Sequence, residues 1–163
     1  MRQRITLERV YRADIADVWD LWTTKEGIES WWGPGGFVVN VRKLDLRPGG
    51  ELRYAMTAID PPQVAFMKKT GMPLTQQLRI TFTEVVPRRR LAYLHLADFI
   101  PGVEPYDVAT VVEFHPMSDG VRMVLTFDAM HSDEWTERAT MGWEGELGKL
   151  AAVLDARLAR GRR

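Results

Sequence analysis

The side chains best suited to acid-base chemistry near neutral pH are histidines. The sequence contains His95, His115 and His131. His95 has the same strand parity as Tyr93, so we expect it to face inward. With Tyr54 or Tyr93 it could orient a ligand carbonyl or hydroxyl, or act as acid and base in an aldol-type cyclisation. Because a lone inward histidine is more often a hydrogen-bonded core residue, we predict no catalytic residue.

Residues for other common kinds of site are missing or wrongly spaced. The chain has no cysteine, which excludes disulfides, thiolate nucleophiles and thiolate metal ligands. No two histidines have the i, i+4 spacing of a helical metal pair, so we predict no metal site. The glycine-rich run 33–36 precedes a predicted strand, and therefore offers no helix N-terminus to a phosphate. We expect no cofactor.

Aromatic and methionine side chains are abundant, and most should fill the core because they bury a large area. Phe66, Met67, Met72 and Phe99 lie in irregular segments, where an apolar side chain either closes over a ligand or docks on the core. Both alternatives stay open. The candidate ligand-binding residues are Trp32, Tyr54, Met56, Phe66, Met72, His95, Phe99, Tyr106, Phe127, Trp135 and Trp143.

These candidates must be positioned by a long amphipathic helix predicted over Ser132 to Arg160, with Ser132 as its N-cap. Its apolar stripe is Trp135, Ala139, Trp143, Leu147, Leu150, Leu154 and Leu158. Charged residues fill the other faces. Gly142, Gly145 and Gly148 recur every three residues, although each costs about 1 kcal/mol in a helix interior. Close backbone packing is the simpler explanation, and room for a ligand beneath the helix is the alternative.

The rest of the chain reads as one strand, two short helices and six further strands. The predicted strands are Ile5–Tyr11, Phe37–Leu44, Glu51–Ala58, Leu78–Val86, Leu91–Ala97, Val108–His115 and Val121–Ala129. Asp14 is expected to cap the first short helix, and Thr23 with Glu26 has the spacing of a capping box for the second. The segment 60–77 has neither period and is predicted to be a long loop or lid, and 98–105 is predicted to be a second irregular segment. Short turns favour an antiparallel meander whose apolar face the last helix covers.

Composition limits the partners. The 163 residues are enough for one domain, predicted to span 1–163, and 45% hydrophobic with 27% charged residues is typical of globular proteins. Lys plus Arg equals Asp plus Glu at 22 each, so no overall field attracts nucleic acid. No apolar run approaches about 18 residues, so we expect no membrane insertion and a cytoplasmic protein. Monomer and homodimer both stay open.

Four blocks of residues, in order along the chain, carry a resemblance to a known family. They are Val10-Tyr11-Arg12-Ala13 with Val18-Trp19, Trp31-Trp32-Gly33-Pro34, Leu44-Asp45-Leu46-Arg47-Pro48-Gly49-Gly50, and Gly142-Trp143 with Leu147 and Leu150. The chain resembles the activator of heat-shock protein 90 ATPase homologue family, in the START/birch-pollen-allergen superfamily (SRPBCC). The resemblance implies an α+β helix-grip fold. In it, a seven-stranded curved antiparallel sheet wraps around a long C-terminal helix, with two short helices between strands 1 and 2.

The resemblance also implies a mostly apolar pocket between sheet and helix, with loops equivalent to 60–77 and 98–105 at its entrance. The first expected function is non-catalytic binding of a small hydrophobic or amphipathic molecule there. A cofactor-free cyclase-like enzyme and a chaperone-interacting protein are the alternatives. These 163 residues are predicted to form a single domain with no counterpart of the separate N-terminal domain that accompanies this fold in the heat-shock activator, so we expect the chaperone role to be the last of the three. An inward acid or base near a ligand would favour the enzyme.

Overall fold

The structure is a computed structural model that describes residues 3–98, 100 and 102–161. Its elements are β1 Arg4–Tyr11, α1 Ile15–Thr23, α2 Lys25–Trp31, β2 Phe37–Leu44, β3 Glu51–Ala58, α3 Pro61–Thr70, β4 Thr75–Val86, β5 Arg90–Ala97, β6 Tyr106–Met117, β7 Gly120–Asp128 and α4 Asp133–Gly161. The strands form one antiparallel sheet in the order β1-β7-β6-β5-β4-β3-β2. This is the predicted α+β helix-grip architecture, with a curved sheet around a long C-terminal helix and two short helices between β1 and β2.

The β2–β3 hairpin has the bounds that the sequence predicts. At its connection the Arg47 carbonyl accepts the Gly50 N–H at 2.8 Å, and Gly49 has a φ of +85°. A type II turn needs a positive φ at its third residue, which glycine adopts without strain. Along β3, alternate side chains such as Leu52 and Tyr54 are buried, so the hairpin contributes one apolar face to the core.

The two short helices meet at Thr24, whose extended backbone separates them. Its hydroxyl accepts the Gly27 N–H at 3.0 Å and so caps α2. The predicted capping box of Thr23 and Glu26 is therefore wrong: Thr23 ends α1, and its hydroxyl donates to the Trp19 carbonyl at 2.7 Å. Asp14 lies at the N-cap position of α1, but its side chain forms no capping hydrogen bond.

A cluster of tryptophans joins these helices to the rest of the core. The Trp22 ring lies 4.7 Å from that of Trp31 and 5.5 Å from that of Trp32, both in edge-to-face geometry. Trp31 is fully buried, and its indole N–H donates to the Leu21 carbonyl at 2.7 Å. The hydrogen bond satisfies a carbonyl near the C-terminus of α1, where helices lack internal donors. Trp22 also stacks on Trp143 of α4, with centroids 6.1 Å apart.

The segment 60–77 contains a helix, so the prediction of a long loop is wrong there. Pro61 and Pro62 open α3, where a missing N–H costs nothing and the fixed φ of proline suits the first turn. Gly71 ends it with a φ of +74°, and its N–H bonds the Lys68 carbonyl. β4 then begins at Thr75, three residues earlier than predicted. The prolines and the glycine, from which a loop was predicted, lie at the two ends of this helix.

The last helix, α4, is confirmed with Ser132 as its cap, since the Ser132 hydroxyl accepts the Trp135 N–H at 3.3 Å. Leu147, Leu150 and Leu154 are buried in the same core cluster as the sheet and the tryptophans. The apolar stripe therefore faces the sheet as predicted.

The three glycines of α4 do not pack closely against other backbone, so that explanation is wrong. A methyl group added at Gly142, Gly145 or Gly148 would meet no atom within 4 Å outside the local helix backbone. Gly145 and Gly148 are exposed, whereas Gly142 borders a cavity. Of the three, only Gly142 therefore relates to space beneath the helix.

Replacing Gly148 by Ala should raise the free energy of unfolding by about 1 kcal/mol, because alanine has a higher helix propensity and its methyl group meets open space. Urea denaturation measures this. Gly120→Ala is the contrasting variant, since its new methyl group would clash with the Tyr11 carbonyl oxygen and destabilise the protein. A Gly148→Ala protein less stable than wild type would contradict the prediction.

Candidate functional site

A cavity of about 200 Å³ lies between α4 and the inner face of the sheet; we call it the inner cavity. Its walls are Trp32, Tyr54, Ile80, Tyr93, His95, Ala97, Val108, Thr110, Phe127, Met130, Ala139, Gly142, Trp143 and Glu146. The volume is that of about seven molecules of liquid water, which suits a small organic molecule. Strands β3 to β7 supply one side and a single stretch of α4 supplies the other.

A second space of about 330 Å³, the outer pocket, lies beside α3. Its walls are Gly33, Pro34, Phe37, Tyr54, Met56, Gln63, Phe66, Met67, Met72, Gln76, Leu78, His95 and Glu146. Three polar side chains, Tyr54, His95 and Glu146, belong to both walls. The two spaces therefore meet at a polar boundary inside mostly apolar surroundings.

Most of the candidate residues from the sequence lie on these walls. Trp32, Phe127 and Trp143 line the inner cavity, Met56, Phe66 and Met72 line the outer pocket, and Tyr54 and His95 line both. Phe99 lies outside the described residues.

Tyr106 and Trp135 belong to a different cluster, at the start of α4. The Tyr106 hydroxyl lies 3.0 Å from His131 Nδ1, and the rings of His131 and Trp135 are 6.2 Å apart. Arg138 stacks over Trp135 with its Cζ 5.0 Å from the ring centroid. Neither Tyr106 nor Trp135 is on the walls of the inner cavity or the outer pocket.

His95 faces inward, as its strand parity predicts. Its Nε2 is buried and has no protein hydrogen-bond partner within the described ranges. Burial lowers the pKa of His95, and the nearby charge of Asp98 opposes that effect only in part. The ring is therefore neutral at pH 7, and each of its nitrogens either donates or accepts according to the tautomer.

Two tyrosines stand beside His95 on the same apolar face. Burial raises the pKa of Tyr54, with a smaller contribution from the charge of Glu146. The same two causes, in the same order, raise the pKa of Tyr93 well above its ordinary value. Both keep their hydroxyl protons, and for Tyr93 a hydrogen bond with the Thr110 side chain opposes the rise in pKa only in part.

Glu146 is the functional candidate that sequence reasoning missed. It projects from α4 into the boundary between the two spaces, and its Oε1 accepts the Gly33 N–H at 3.1 Å. Burial raises the pKa of the Glu146 carboxyl to about 7, against the opposing effects of the Gly33 hydrogen bond and the Lys149 charge. The signal was present in the spacing, because Glu146 follows Trp143 by three residues and so shares its side of the helix.

Lys149 binds the same loop residue, Gly33, at its carbonyl group. Its Nζ donates to the Gly33 carbonyl at 3.1 Å, while Glu146 accepts from the Gly33 N–H. One turn of α4 thus fixes the peptide groups on both sides of Gly33, which has a φ of +92°. Lys149 itself is not on the wall of either space.

In the part of the chain that the structure describes, no set of three or more His, Asp or Glu side chains could hold a metal ion. Within residues 3–98, 100 and 102–161, no helix is long and apolar enough to cross a membrane. What the walls offer is aromatic surface, neutral hydrogen-bonding groups and one carboxyl group.

Comparison with known proteins gives one family and many related folds. The family model described as activator of Hsp90 ATPase homolog 1-like protein matches residues 12–155. A crystal structure of a Chromobacterium violaceum protein is 26% identical with a TM-score of 0.75, over 93% of this chain and 96% of that one. An AHSA1-like protein from Aeromonas hydrophila is 23% identical with a TM-score of 0.73, over 95% and 94%.

The AHSA1 protein from Silicibacter pomeroyi is 20% identical with a TM-score of 0.74, over 95% of this chain and 99% of that one. No curated protein matches the chain. The similarity therefore extends over nearly the whole length of each of these structures.

Proposed function

Because the chain belongs to the activator of Hsp90 ATPase homolog 1-like family, a family of helix-grip folds, we propose that it binds a small hydrophobic or amphipathic molecule in the inner cavity. One observation carries the proposal. The inner cavity combines aromatic walls with a buried polar atom, His95 Nε2, that has no protein partner in the described part of the chain.

Such atoms are costly when they are left unpaired. A buried polar group without a hydrogen bond costs about 1–3 kcal/mol, and buried polar groups in proteins almost always have partners. A ligand with one polar end would supply a partner for His95 and bury its apolar part against Trp32, Phe127 and Trp143. This division between a few polar atoms and a mostly apolar wall is typical of small-molecule sites.

The outer pocket has a secondary part in the proposal. Met56, Phe66 and Met72 would contact a ligand portion that extends past the polar boundary towards α3. Phe66 is 56% exposed and Met72 is 38% exposed, so both would lose exposed apolar surface to such a ligand. The roles of Phe99, Tyr106 and Trp135 in ligand binding stay predictions from the sequence.

Native mass spectrometry of protein purified from the organism that produces it tests the proposal, and we expect a retained small molecule. Replacing Gly142 by Leu should reduce retention at least tenfold, because the new side chain would occupy the cavity. Gly148→Leu is the matched control, since it adds the same side chain on the exposed face of α4. A protein that retains nothing and binds nothing from a panel of lipids and aromatic compounds would contradict the proposal.

The cofactor-free enzyme is the second candidate, and Glu146 favours it. A carboxyl group with a pKa of about 7 beside open space is suited to proton transfer at neutral pH. Incubating the retained molecule with purified protein separates the two functions, because an enzyme would convert the molecule and a binding protein would release it unchanged. Binding to a chaperone stays a prediction from the family resemblance.

A further inference from the structure

We propose that the ligand is a small organic cation whose ammonium group lies among the aromatic rings of the inner cavity and against the Glu146 carboxylate. The inference rests on the proposed function and specifies the chemical class of the ligand. It is carried by the sign of the charge on the walls, by the free side of the carboxylate and by the arrangement of the rings.

The sign of the charge comes first. Glu146 is the one Asp, Glu, Lys or Arg residue among the described residues that line the inner cavity and the outer pocket. A carboxylate or phosphate ligand would therefore meet a like charge and no arginine or lysine to pair with it. A cation would instead give the buried carboxylate an opposite charge, which buried charges require.

One side of the Glu146 carboxylate is available for that pairing. Its Oε1 accepts the Gly33 N–H, whereas its Oε2 has no protein hydrogen bond among the described residues. The nearest built-in cation, Lys149, donates to the Gly33 carbonyl and does not line either space. Gly33 and Lys149 thus hold the helix turn in place and leave Oε2 for a ligand.

Four aromatic rings, those of Trp32, Tyr54, Tyr93 and Trp143, lie together on the wall of the inner cavity. Trp32 and Trp143 are 6.4 Å apart at 76°, and Trp32 and Tyr93 are 6.3 Å apart at 47°. Tyr54 adds a further ring, 6.2 Å from Trp32 at 76°. At these separations neighbouring rings touch one another and form a continuous aromatic wall. An ammonium group in the cavity that comes within about 6 Å of the centroid of such a ring, over its face, is attracted to it.

Of the other titratable groups that face Glu146, the two tyrosines and His95 have pKa values shifted away from pH 7. Burial raises the pKa of Tyr54 on β3 and of Tyr93 on β5, and it lowers the pKa of His95 on β5. Lys149 on α4 has a lowered pKa, chiefly from burial, and the charge of Glu146 opposes that effect. Cation affinity should therefore follow ionisation of Glu146 and increase from pH 6 to pH 8.

Isothermal titration calorimetry with two soluble probes of the same shape tests the inference. Choline carries a trimethylammonium group, and 3,3-dimethyl-1-butanol has carbon in place of that nitrogen. At pH 8 we expect wild-type protein to bind choline at least tenfold more tightly than it binds 3,3-dimethyl-1-butanol. In Glu146→Gln, where the amide oxygen still accepts the Gly33 N–H, this preference should fall at least tenfold.

Glu144→Gln is the matched control, because it removes the same charge from an exposed residue of α4 that pairs with Arg9 outside the cavity. It should change choline affinity less than twofold. Wild-type protein that binds both probes equally, or shows no increase in choline affinity between pH 6 and pH 8, would overturn the cation inference and leave the proposed function intact. Protein that binds neither probe and retains no molecule in native mass spectrometry would overturn both.

Discussion

Replacing Trp31 by Ala should lower the free energy of unfolding by about 4 kcal/mol. Trp31 is fully buried, and its ring contacts the rings of Trp22 at 4.7 Å and Trp32 at 5.0 Å. Alanine would leave a cavity among these rings that the helices α1 and α2 cannot fill by small movements. The Leu21 carbonyl would also lose the indole N–H that it accepts at 2.7 Å.

Chemical denaturation followed by circular dichroism measures this loss. Trp31→Phe keeps most of the apolar volume and should lower the free energy of unfolding by less than Trp31→Ala. Its stability can be measured even if the alanine variant does not fold. Trp135→Ala is the control, because Trp135 lies on α4 with its ring under Arg138 and is only half-buried. A Trp31→Ala protein that loses less stability than Trp135→Ala would show that the tryptophan cluster does not hold α2 in place.

We compare the free energy of unfolding of Glu146→Gln with that of wild type at two pH values. The difference should favour the variant by about 3 kcal/mol more at pH 8 than at pH 4. Burial raises the pKa of the Glu146 carboxyl from 4.5 to about 7 in the folded protein. Each tenfold difference in proton affinity is worth about 1.4 kcal/mol. The folded state binds this proton more strongly than the unfolded state, so the stabilisation that the Glu146 proton contributes is complete below pH 4.5 and is lost as the pH rises through 7.

Glutamine carries no charge and avoids that loss, while its amide oxygen keeps the hydrogen bond to Gly33. Urea denaturation of both proteins at intervals between pH 4 and pH 8 measures the difference. Glu144→Gln again controls for the change in net charge, and its stability relative to wild type should vary little across the same range. A constant difference between Glu146→Gln and wild type would show that Glu146 ionises as easily in the folded protein as in the unfolded chain.

Local patterns were enough to predict most of the strands. The hairpin of β2 and β3 has alternating side chains on both strands and a Pro48-Gly49 turn between them, and each of these signals depends only on neighbouring residues. The cap of α4 is equally local, because Ser132 bonds the Trp135 N–H three residues later. The parity of His95 likewise depends on β5 alone.

The missed features depend on contacts that the local pattern does not contain. Pro61 and Gly71 are frequent in loops, and only the completed fold makes them the first turn and the end cap of α3. Glu146 has the spacing of the Trp143 side of α4, but its charge predicts exposure to solvent, and only the contacts with the Gly33 loop and Lys149 account for its place inside. Propensity and alternation carry no information about such distant partners.

The hydrogen bonds that Glu146 and Lys149 form with Gly33 also bear on how the chain folds while it is being synthesised. Gly33 and Glu146 are 113 residues apart in the sequence. The first strand of the chain, β1, pairs along its length with the last strand, β7. A ribosome makes β1 and the tryptophans of α1 and α2 long before it makes β7 and α4, and contacts between distant residues form slowly. Partly synthesised chains therefore expose an unpaired edge strand and a large aromatic surface until α4 emerges. The newly made protein should itself require protection from aggregation during synthesis.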